Sequence, residues 1–331
     1  MTIVIRKGGV QTTIQDLGRY GMGAFGVQFS GPMDAKSLKI ANILVRNPID
    51  YPVIEIAYGG PIIFFEVSAL IAITGARYEI LVNNDPCPMD RPIFIKPGSE
   101  LTFGHNKHGC RAYLAISGQF NLKKILGSFS TNLCEKFGGL GGRKLRRGDR
   151  ITVRPLMCKI NFSSMTYRGK NFYSPRWFVK SQPYFNKNFL MTLRFMPSRL
   201  WQELKVKDKE EILKNEFEVI SSSNRMGCRF QGFGEIRIPN DAISRPTGFG
   251  LIQIPSDGNP IILTADCQTI GGYPTIGSVI SVDHNLLGQL APGYRIVFQM
   301  VSLDNAENLY IKQEEFLGRV MDSVNNKLSD D

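Results

Sequence analysis

The sequence predicts a mainly β protein. Short runs of β-branched and apolar residues recur along the chain, 33 glycines and 18 prolines punctuate them, and few stretches carry helical spacing. At 331 residues the chain is too long for one ordinary core and fits two modest domains or one large β domain.

The elements follow in order. Residues 2–6 are apolar and β-branched, and Gly8-Gly9 breaks them. Asp34 stands where it can cap a helix whose Ala35, Leu38, Ala41 and Val45 share a face, and Asn47-Pro48 ends that helix. Residues 53–58, 61–66, 69–74 and 77–82 then alternate with Gly-Gly, Val-Ser or Gly-Ala, the rhythm of an antiparallel meander. Residues 93–95, 100–103 and 110–117 continue it, with the G-H-N-K-H-G of 104–109 as a solvated hairpin tip. Strands at this spacing around a lone helix suggest a closed barrel with a helical plug. Further on, 191–196, 217–220, 228–230, 251–254, 261–264, 278–282 and 295–301 read as strands, and 199–215 as a helical pair. Asp283 can cap a short helix through Leu290. From Asp304 a last helix places Leu309, Phe316, Val320 and Val324 on one face, and the tail after Leu328 frays. The organisation expected is a first barrel over 1–155, a connector over 156–190, a second barrel over 191–303, and a helix and tail over 304–331. Gln11-Thr-Thr-Ile14 and Gln268-Thr-Ile270, each followed by a glycine- and tyrosine-containing loop and a helix, hint at pseudo-symmetry between the barrels.

Composition excludes several classes. No run approaches the roughly 18 apolar residues of a membrane span; the best, 62–73, contains Glu66. The opening MTIVIRKGG puts its apolar residues before its charges, the reverse of a signal peptide, so a cytoplasmic location is expected. Cysteines 87, 110, 134, 158, 228 and 267 form no C-x-x-C and are expected as free thiols, and no Cys, Asp or Glu completes a metal set with His105 and His108. The net charge of +11 is local: residues 150–202 hold ten Lys or Arg and no acid, and outside them 30 basic residues face 29 acidic ones. Aromatics interleave there, among them Phe162, Tyr167, Phe172, Trp177, Tyr184, Phe185 and Trp201. Without any nucleic-acid-binding motif, this segment reads as a connector with aromatics on a core and charges facing water or an acidic partner.

Chemistry concentrates in three segments. The first runs from Gly9 to Gly21 and on through Ser30-Gly-Pro-Met-Asp34 to Asn42, the second is 223–229, and the third covers 250–260 and 265–274. Their glycines permit close backbone approach, and glutamines present a donor and an acceptor to an amide or ureido edge. The candidate catalytic residues are Asp266, Arg225 and Asp16, as proton acceptors and a carboxylate clamp. The candidate substrate-binding residues are Gln15, Arg19, Asp34 and Asn42, with Gln253, Gln268, Thr269, Gly271, Gly272 and Tyr273 in the second barrel. Clustering, rather than any single residue, carries this reading.

Four long motifs, G-V-Q-T-T-I-Q-D-L-G-R-Y-G, S-G-P-M-D with A-N-I-L-V-R-N, G-F-G-L-I-Q-I-P-S-D-G-N-P-I-I-L and D-C-Q-T-I-G-G-Y-P, closely resemble the KipA family. That family comprises the C subunit of bacterial 5-oxoprolinase, also called allophanate hydrolase subunit 2, and part of the biotin-dependent carboxyltransferase domain of urea carboxylase. The resemblance covers about residues 9–301, including R-A-Y-L-A-I-S-G and L-G-S-F-S-T. It departs at Asn224 and Cys228, where the family has S-D-R-M-G-Y-R, and at Pro197-Ser198 and Gln119. The resemblance implies two cyclophilin-like β-barrels, a KipI-type partner (the B component of 5-oxoprolinase) and an A-type partner. It further implies ATP-dependent cleavage of 5-oxoproline to L-glutamate by the complex. Carboxyl transfer from biotin carried in trans to a urea or amide nitrogen is the alternative, since the chain has no Ala/Val-Met-Lys-Met attachment site. There, Asp266 would accept the N–H proton, Gln253 and Gln268 would hold the ureido ring and Arg225 would grip the carboxylate. A third possibility is a regulatory protein that antagonises a KipI-type inhibitor. No G-x-x-x-x-G-K-[ST] loop is present, and Gly138–Arg143 reads as a turn, so ATP belongs to the complex.

Overall fold

The computed structural model describes residues 1–156, 165–181, 189–232 and 243–329. The fold is mainly β and divides into two units. The first comprises Met1–Gly18, Asp34–Gln182 and Glu315–Asp331, the second Arg19–Met33 and Pro183–Glu314.

The first unit is built on a twelve-stranded antiparallel sheet. Its strands are β1 (Thr2–Gly8), β2 (Gln11–Gln15), β3 (Val53–Ala57), β4 (Pro61–Phe65), β5 (Ala69–Val82) and β6 (Asp85–Pro86). There follow β7 (Pro92–Ile95), β8 (Ser99–Ile116), β9 (Gln119–Phe120), β10 (Arg150–Arg154), β11 (Tyr167–Arg168) and β12 (Phe172–Ser174). The main path is β11-β12-β7-β5-β8-β4-β1-β10-β9, and β8 also takes β3, which carries β2. The long β5 and β8 replace pairs of shorter strands expected from the sequence. Gly75 lies at φ +86°, and the β5–β8 register shifts repeatedly between Gly75 and Ile80. Extra residues absorbed as bulges let both strands continue past their glycines instead of turning. His105 and His108 therefore lie inside β8, with His108 opposite Arg77 and Asn106 opposite Tyr78, and not at a hairpin tip.

Among the described residues of the second unit nine strands follow: β13 (Leu190–Pro197), β14 (Phe217–Val219), β15 (Gly227–Gln231), β16 (Arg245–Pro246) and β17 (Leu251–Gln253). The rest are β18 (Ile261–Leu263), β19 (Ile270–Gly271), β20 (Thr275–Val279) and β21 (Arg295–Met300). Seven close into a barrel in the order β13-β20-β17-β18-β15-β14-β21, sealed by the parallel pairing of β21 with β13. Phe195, Phe217, Phe230 and Phe298 fill it. The remaining two, β16 and β19, form a separate ladder through Arg245 with Gly271 and Pro246 with Ile270.

Among the described residues five α-helices accompany the sheets: α1 (Ala35–Leu44), α2 (Arg199–Glu203), α3 (Val206–Lys214), α4 (His284–Gln289) and α5 (Leu303–Leu328). Asp34 caps α1 as expected, accepting from the Ser37 backbone N–H at 2.8 Å. Leu38, Ala41 and Leu44 of α1 pack with Ala72, Tyr113 and the α5 residues Val320 and Val324. Asp283 precedes α4 without capping it. Its carboxylate is taken by the Arg194 guanidinium and backbone N–H instead. A charged fork outcompetes a lone backbone N–H for a buried carboxylate.

The basic segment divides as its composition suggests. Phe172 is fully buried, and Tyr173 and Trp177 pack on the α1 cluster. Lys96 covers the Tyr173 ring at 4.9 Å and Lys327 the Trp177 ring at 5.7 Å. Phe162, Tyr184, Phe185, Cys158 and the last two acidic residues lie outside the described residues. Of the five described cysteines, none is joined in a disulfide. No described helix is long and apolar enough to cross a membrane.

Candidate functional site

The second unit brings most of its sequence-predicted residues to one place. Gln253 ends β17, paired with Ile261 and Thr275, and its side chain is only 1% exposed. Gly271 ends β19, three residues after Gln268. A Cβ built on Gly271 would stand 3.2 Å from Gln253 Nε2, 3.3 Å from Gln268 Nε2 and 3.0 Å from Thr247 Cγ2. Both amide nitrogens thus converge on the side of Gly271 where a side chain would stand. Thr247 secures the strand opposite: its N–H donates to the Thr269 carbonyl at 3.0 Å, and its hydroxyl donates to the Gln268 carbonyl. Thr269 and Gly272 are half-buried, while Tyr273 is half exposed beside them. Two glutamine amides over glycines can donate to one carbonyl oxygen and accept from an adjacent N–H, the pattern of a lactam or ureido edge.

Arg225 and Asp266 form a buried, bidentate pair, Nε to Oδ2 at 2.7 Å and Nη2 to Oδ1 at 3.0 Å. Arg225 Nη2 also donates to the Gly31 carbonyl at 2.6 Å. The pair stitches its loops together, for the Asp266 N–H and the Thr264 hydroxyl both donate to the Arg225 carbonyl. Next in chain, burial and then the Asp266 charge push the Cys267 thiol up to about 11, so it stays protonated at neutral pH and is no nucleophile. Arg19 belongs to this unit as well, 2% exposed, with its N–H donating to the Phe29 carbonyl.

The first unit holds Gln15, Asp16, Asp34 and Asn42, each in its own local network. The Asp16 carboxylate receives the Gly18 and Phe129 N–H groups and the Ser128 and Ser130 hydroxyls, so the L-G-S-F-S-T loop wraps it. Gln15 Nε2 donates to Thr13 Oγ1 and the Thr131 carbonyl. Asn42 Nδ2 donates to the Tyr51 carbonyl at 2.8 Å, and its Oδ1 accepts from Asn47. Asp34, besides capping α1, donates its N–H to the Tyr113 hydroxyl at 2.8 Å.

That last contact leads to residues the sequence reasoning missed. Tyr113 donates to Glu55 Oε2 at 2.8 Å, and Arg111 Nε stands 3.9 Å from Glu55 Oε1, all within 3% exposure. Burial, then the Glu55 and Asp34 charges, hold the Tyr113 phenol far above its ordinary range, so it remains a donor. The signal was present: Glu55 is a charge inside V-I-E-I-A, and such residues are buried only when paired.

The glycine-rich Gly138–Arg143 stretch does not fit a phosphate. Its Gly139 and Gly142 N–H groups donate to the Phe129 and Gly138 carbonyls, and a Cβ on Gly142 would collide with the Lys136 backbone at 1.9 Å. Among the described residues no cluster of three His, Cys, Asp or Glu is placed to hold a metal ion.

Residues 25–300 match the family described as carboxyltransferase domain, subdomain A and B. The chain is 34% identical to the C subunit of the Haemophilus influenzae 5-oxoprolinase over 96% of this chain and 97% of that one. It is 32% identical to the corresponding C subunit of Escherichia coli over 98% and 99%. The solved Kluyveromyces lactis urea carboxylase superimposes with a TM-score of 0.84 at 27% identity over 99% of this chain. This chain spans 30% of that enzyme's length.

Proposed function

Because the chain belongs to the carboxyltransferase-domain family, we propose that it is the C subunit of an ATP-dependent 5-oxoprolinase. In this reading it acts with a KipI-type partner and an A-type partner to open 5-oxoproline to L-glutamate. The observation that carries it is the end-to-end match to two 5-oxoprolinase C subunits, each covered to at least 97% of its length. The site supports it, since the Gln253 and Gln268 amide nitrogens meet over Gly271, where they can donate to a carbonyl oxygen.

The chain's own residues bind and orient. The Gln253 and Gln268 amides take the lactam carbonyl and N–H, and a donor at the carbonyl oxygen favours attack at the carbon as charge moves onto oxygen. Arg225 and Asp266, which satisfy each other, hold the 223–229 and 264–273 loops in place. They are positioning residues in this reading. ATP supplies the activation that a stable amide needs, and no residue of this chain is assigned to it.

Transfer of a carboxyl group from biotin on another protein to a urea or amide nitrogen is the second reading, favoured by the family match and the urea carboxylase superposition. The same two amides would then read a ureido edge. One experiment separates the two: the assembled proteins are supplied either with 5-oxoproline and ATP or with carboxybiotin and urea. Glutamate release supports the first reading, and urea-dependent loss of carboxybiotin supports the second.

A further inference from the structure

Charge is dense in the first unit, outside the segments that carry the chemistry. From Arg143 to Arg150 the sequence reads R-K-L-R-R-G-D-R, five cations against one acid. That acid is consumed internally. Asp149 takes the Arg143 guanidinium at 2.7 and 2.8 Å and the Arg146 N–H at 2.8 Å, and its own N–H donates to the Arg146 carbonyl. The turn so closed presents the Arg146 and Arg147 side chains to solvent. Strand β1 runs beside it, since the Ile5 N–H donates to the Asp149 carbonyl and the Gly148 N–H to the Ile5 carbonyl. The β1–β4 register slips between Ile5 and Lys7, and Arg6 and Lys7 are both exposed, where regular alternation would turn one of them inward. Arg6 lies over the Phe64 ring at 4.7 Å, and Lys7 Nζ is 3.9 Å from where a Cβ on Gly60 would stand. Lys144 Nζ donates to the Val10 carbonyl at 3.2 Å, and the Val10 N–H donates to the Gly59 carbonyl. One end of the unit thus gathers Arg6, Lys7, Lys144, Arg146 and Arg147, none of them paired with a carboxylate among the described residues. Arg150, by contrast, is neutralised by Glu66 at 2.7 Å. Among these cations stand Val10 and Tyr58, 58% and 41% exposed. Like charges held together repel one another, and a surface of opposite sign relieves that repulsion. Exposed apolar and aromatic side chains among arginines are the make-up of a protein–protein contact, whereas nucleic-acid faces set polar and cationic groups against phosphates.

We propose that this end of the first unit is a docking surface for another protein, one that presents carboxylates around an apolar centre. Val10 and Tyr58 fill the middle of the contact, and the five unpaired cations meet the carboxylates around it. The bulge in β1 and the turn closed by Asp149 are the two local devices that aim these cations outward together. The proposal does not depend on which reaction the assembled proteins carry out.

Arg146→Glu/Arg147→Glu tests it in the full chain, because these exposed side chains make no hydrogen bond or ion pair among the described residues. Lys7→Glu, on a different element, is a second and independent variant. The control is Lys205→Glu/Lys207→Glu, which makes the same change of net charge on exposed lysines of the second unit. Binding to the KipI-type and A-type proteins is measured for all four chains. One of these proteins is expected to bind Arg146→Glu/Arg147→Glu at least about tenfold more weakly, with Lys7→Glu weakened in the same direction and the control within about twofold. The fall in affinity between about 50 and 300 mM salt is expected to flatten in the two variants and not in the control. Equal affinity of the parent and both variants for every protein that the parent binds overturns the proposal, and so does a control that weakens binding as much. If the parent binds neither protein, the partners proposed above fail, and the surface is judged with poly-L-glutamate and an oligothymidylate in separate arms. Poly-L-glutamate binding that Arg146→Glu/Arg147→Glu weakens and the control does not supports it. Tighter binding of the oligothymidylate makes nucleic acid the occupant and overturns it, as does binding that the variant leaves unchanged or no binding of either probe.

Discussion

A carboxylate with both oxygens committed to one guanidinium behaves differently from one that is open. Asp266 is 1% exposed and its oxygens face Arg225 Nε and Nη2, so removing the guanidinium leaves a stranded buried charge. Arg225→Met is expected to cost about 3–5 kcal/mol in urea unfolding, while the double variant Arg225→Met/Asp266→Leu recovers much of that. Equal losses in both would mean that the pair is not coupled. His284 gives a pH-dependent counterpart. It stacks on Phe249 at 4.4 Å, and burial pushes its imidazole down to about 4. The folded chain keeps it neutral while the unfolded chain binds the proton near its ordinary value of about 6.5. Its contribution is therefore complete above about pH 6.5 and is lost as the pH falls towards 4, about 3 kcal/mol in all. His284→Gln should flatten this part of the stability profile, and a profile identical to the parent's would contradict the assignment. At this scale the sequence was informative wherever residue type alone restricts chemistry. Gln253, Gln268 and Gly271 were legible as a group because glutamines and glycines cluster in 250–274. That Asp266 meets Arg225 from 41 residues away, with Gly31 as third partner, is a long-range matter that no local spacing encodes.

Glycine also decides where the elements of the first unit run. Gly75 and Gly109, read as breaks, sit inside the long β5 and β8, because a glycine at positive φ can bulge a strand as readily as end it. The choice between bulge and turn depends on the partner strand, which the local sequence does not show. A Cβ on Gly75 would stand 2.5 Å from the Arg111 carbonyl at φ +86°. Gly75→Ala is thus expected to destabilise the first unit by about 2–3 kcal/mol in chemical denaturation, from strain and displacement together. A change below about 0.5 kcal/mol would show that the β5–β8 bulge tolerates a side chain. Helix α1 was legible because its cap is local, Asp34 to Ser37. The cap expected at Asp283 was not, because Arg194, 89 residues away in sequence, takes the carboxylate.

Over the whole molecule, the alternation of strands and turns disclosed a mainly β chain, and its motifs disclosed the family. The grouping of Arg19–Met33 with the second unit was not legible, since that stretch follows β2 directly and carries no strand or helix period of its own. Charge acts at this scale too. In the first unit's part of the basic run Phe172 is buried while Arg150, Arg154, Lys170, Arg176 and Lys180 are exposed, a set that suits an acidic partner face. Association with the proposed KipI-type partner is accordingly expected to weaken when salt is raised to about 300 mM, where screening acts within several ångströms. Unchanged affinity in a titration at both salt concentrations would remove this segment from the interface. The central claim is that this chain is the C subunit of a lactam-opening complex. It is tested most directly by mixing the three purified proteins with 5-oxoproline and ATP and measuring glutamate and phosphate together. Equal yields of both, abolished when this chain is omitted, are the predicted result; a stable three-protein complex that releases no glutamate, or full turnover without this chain, would contradict it.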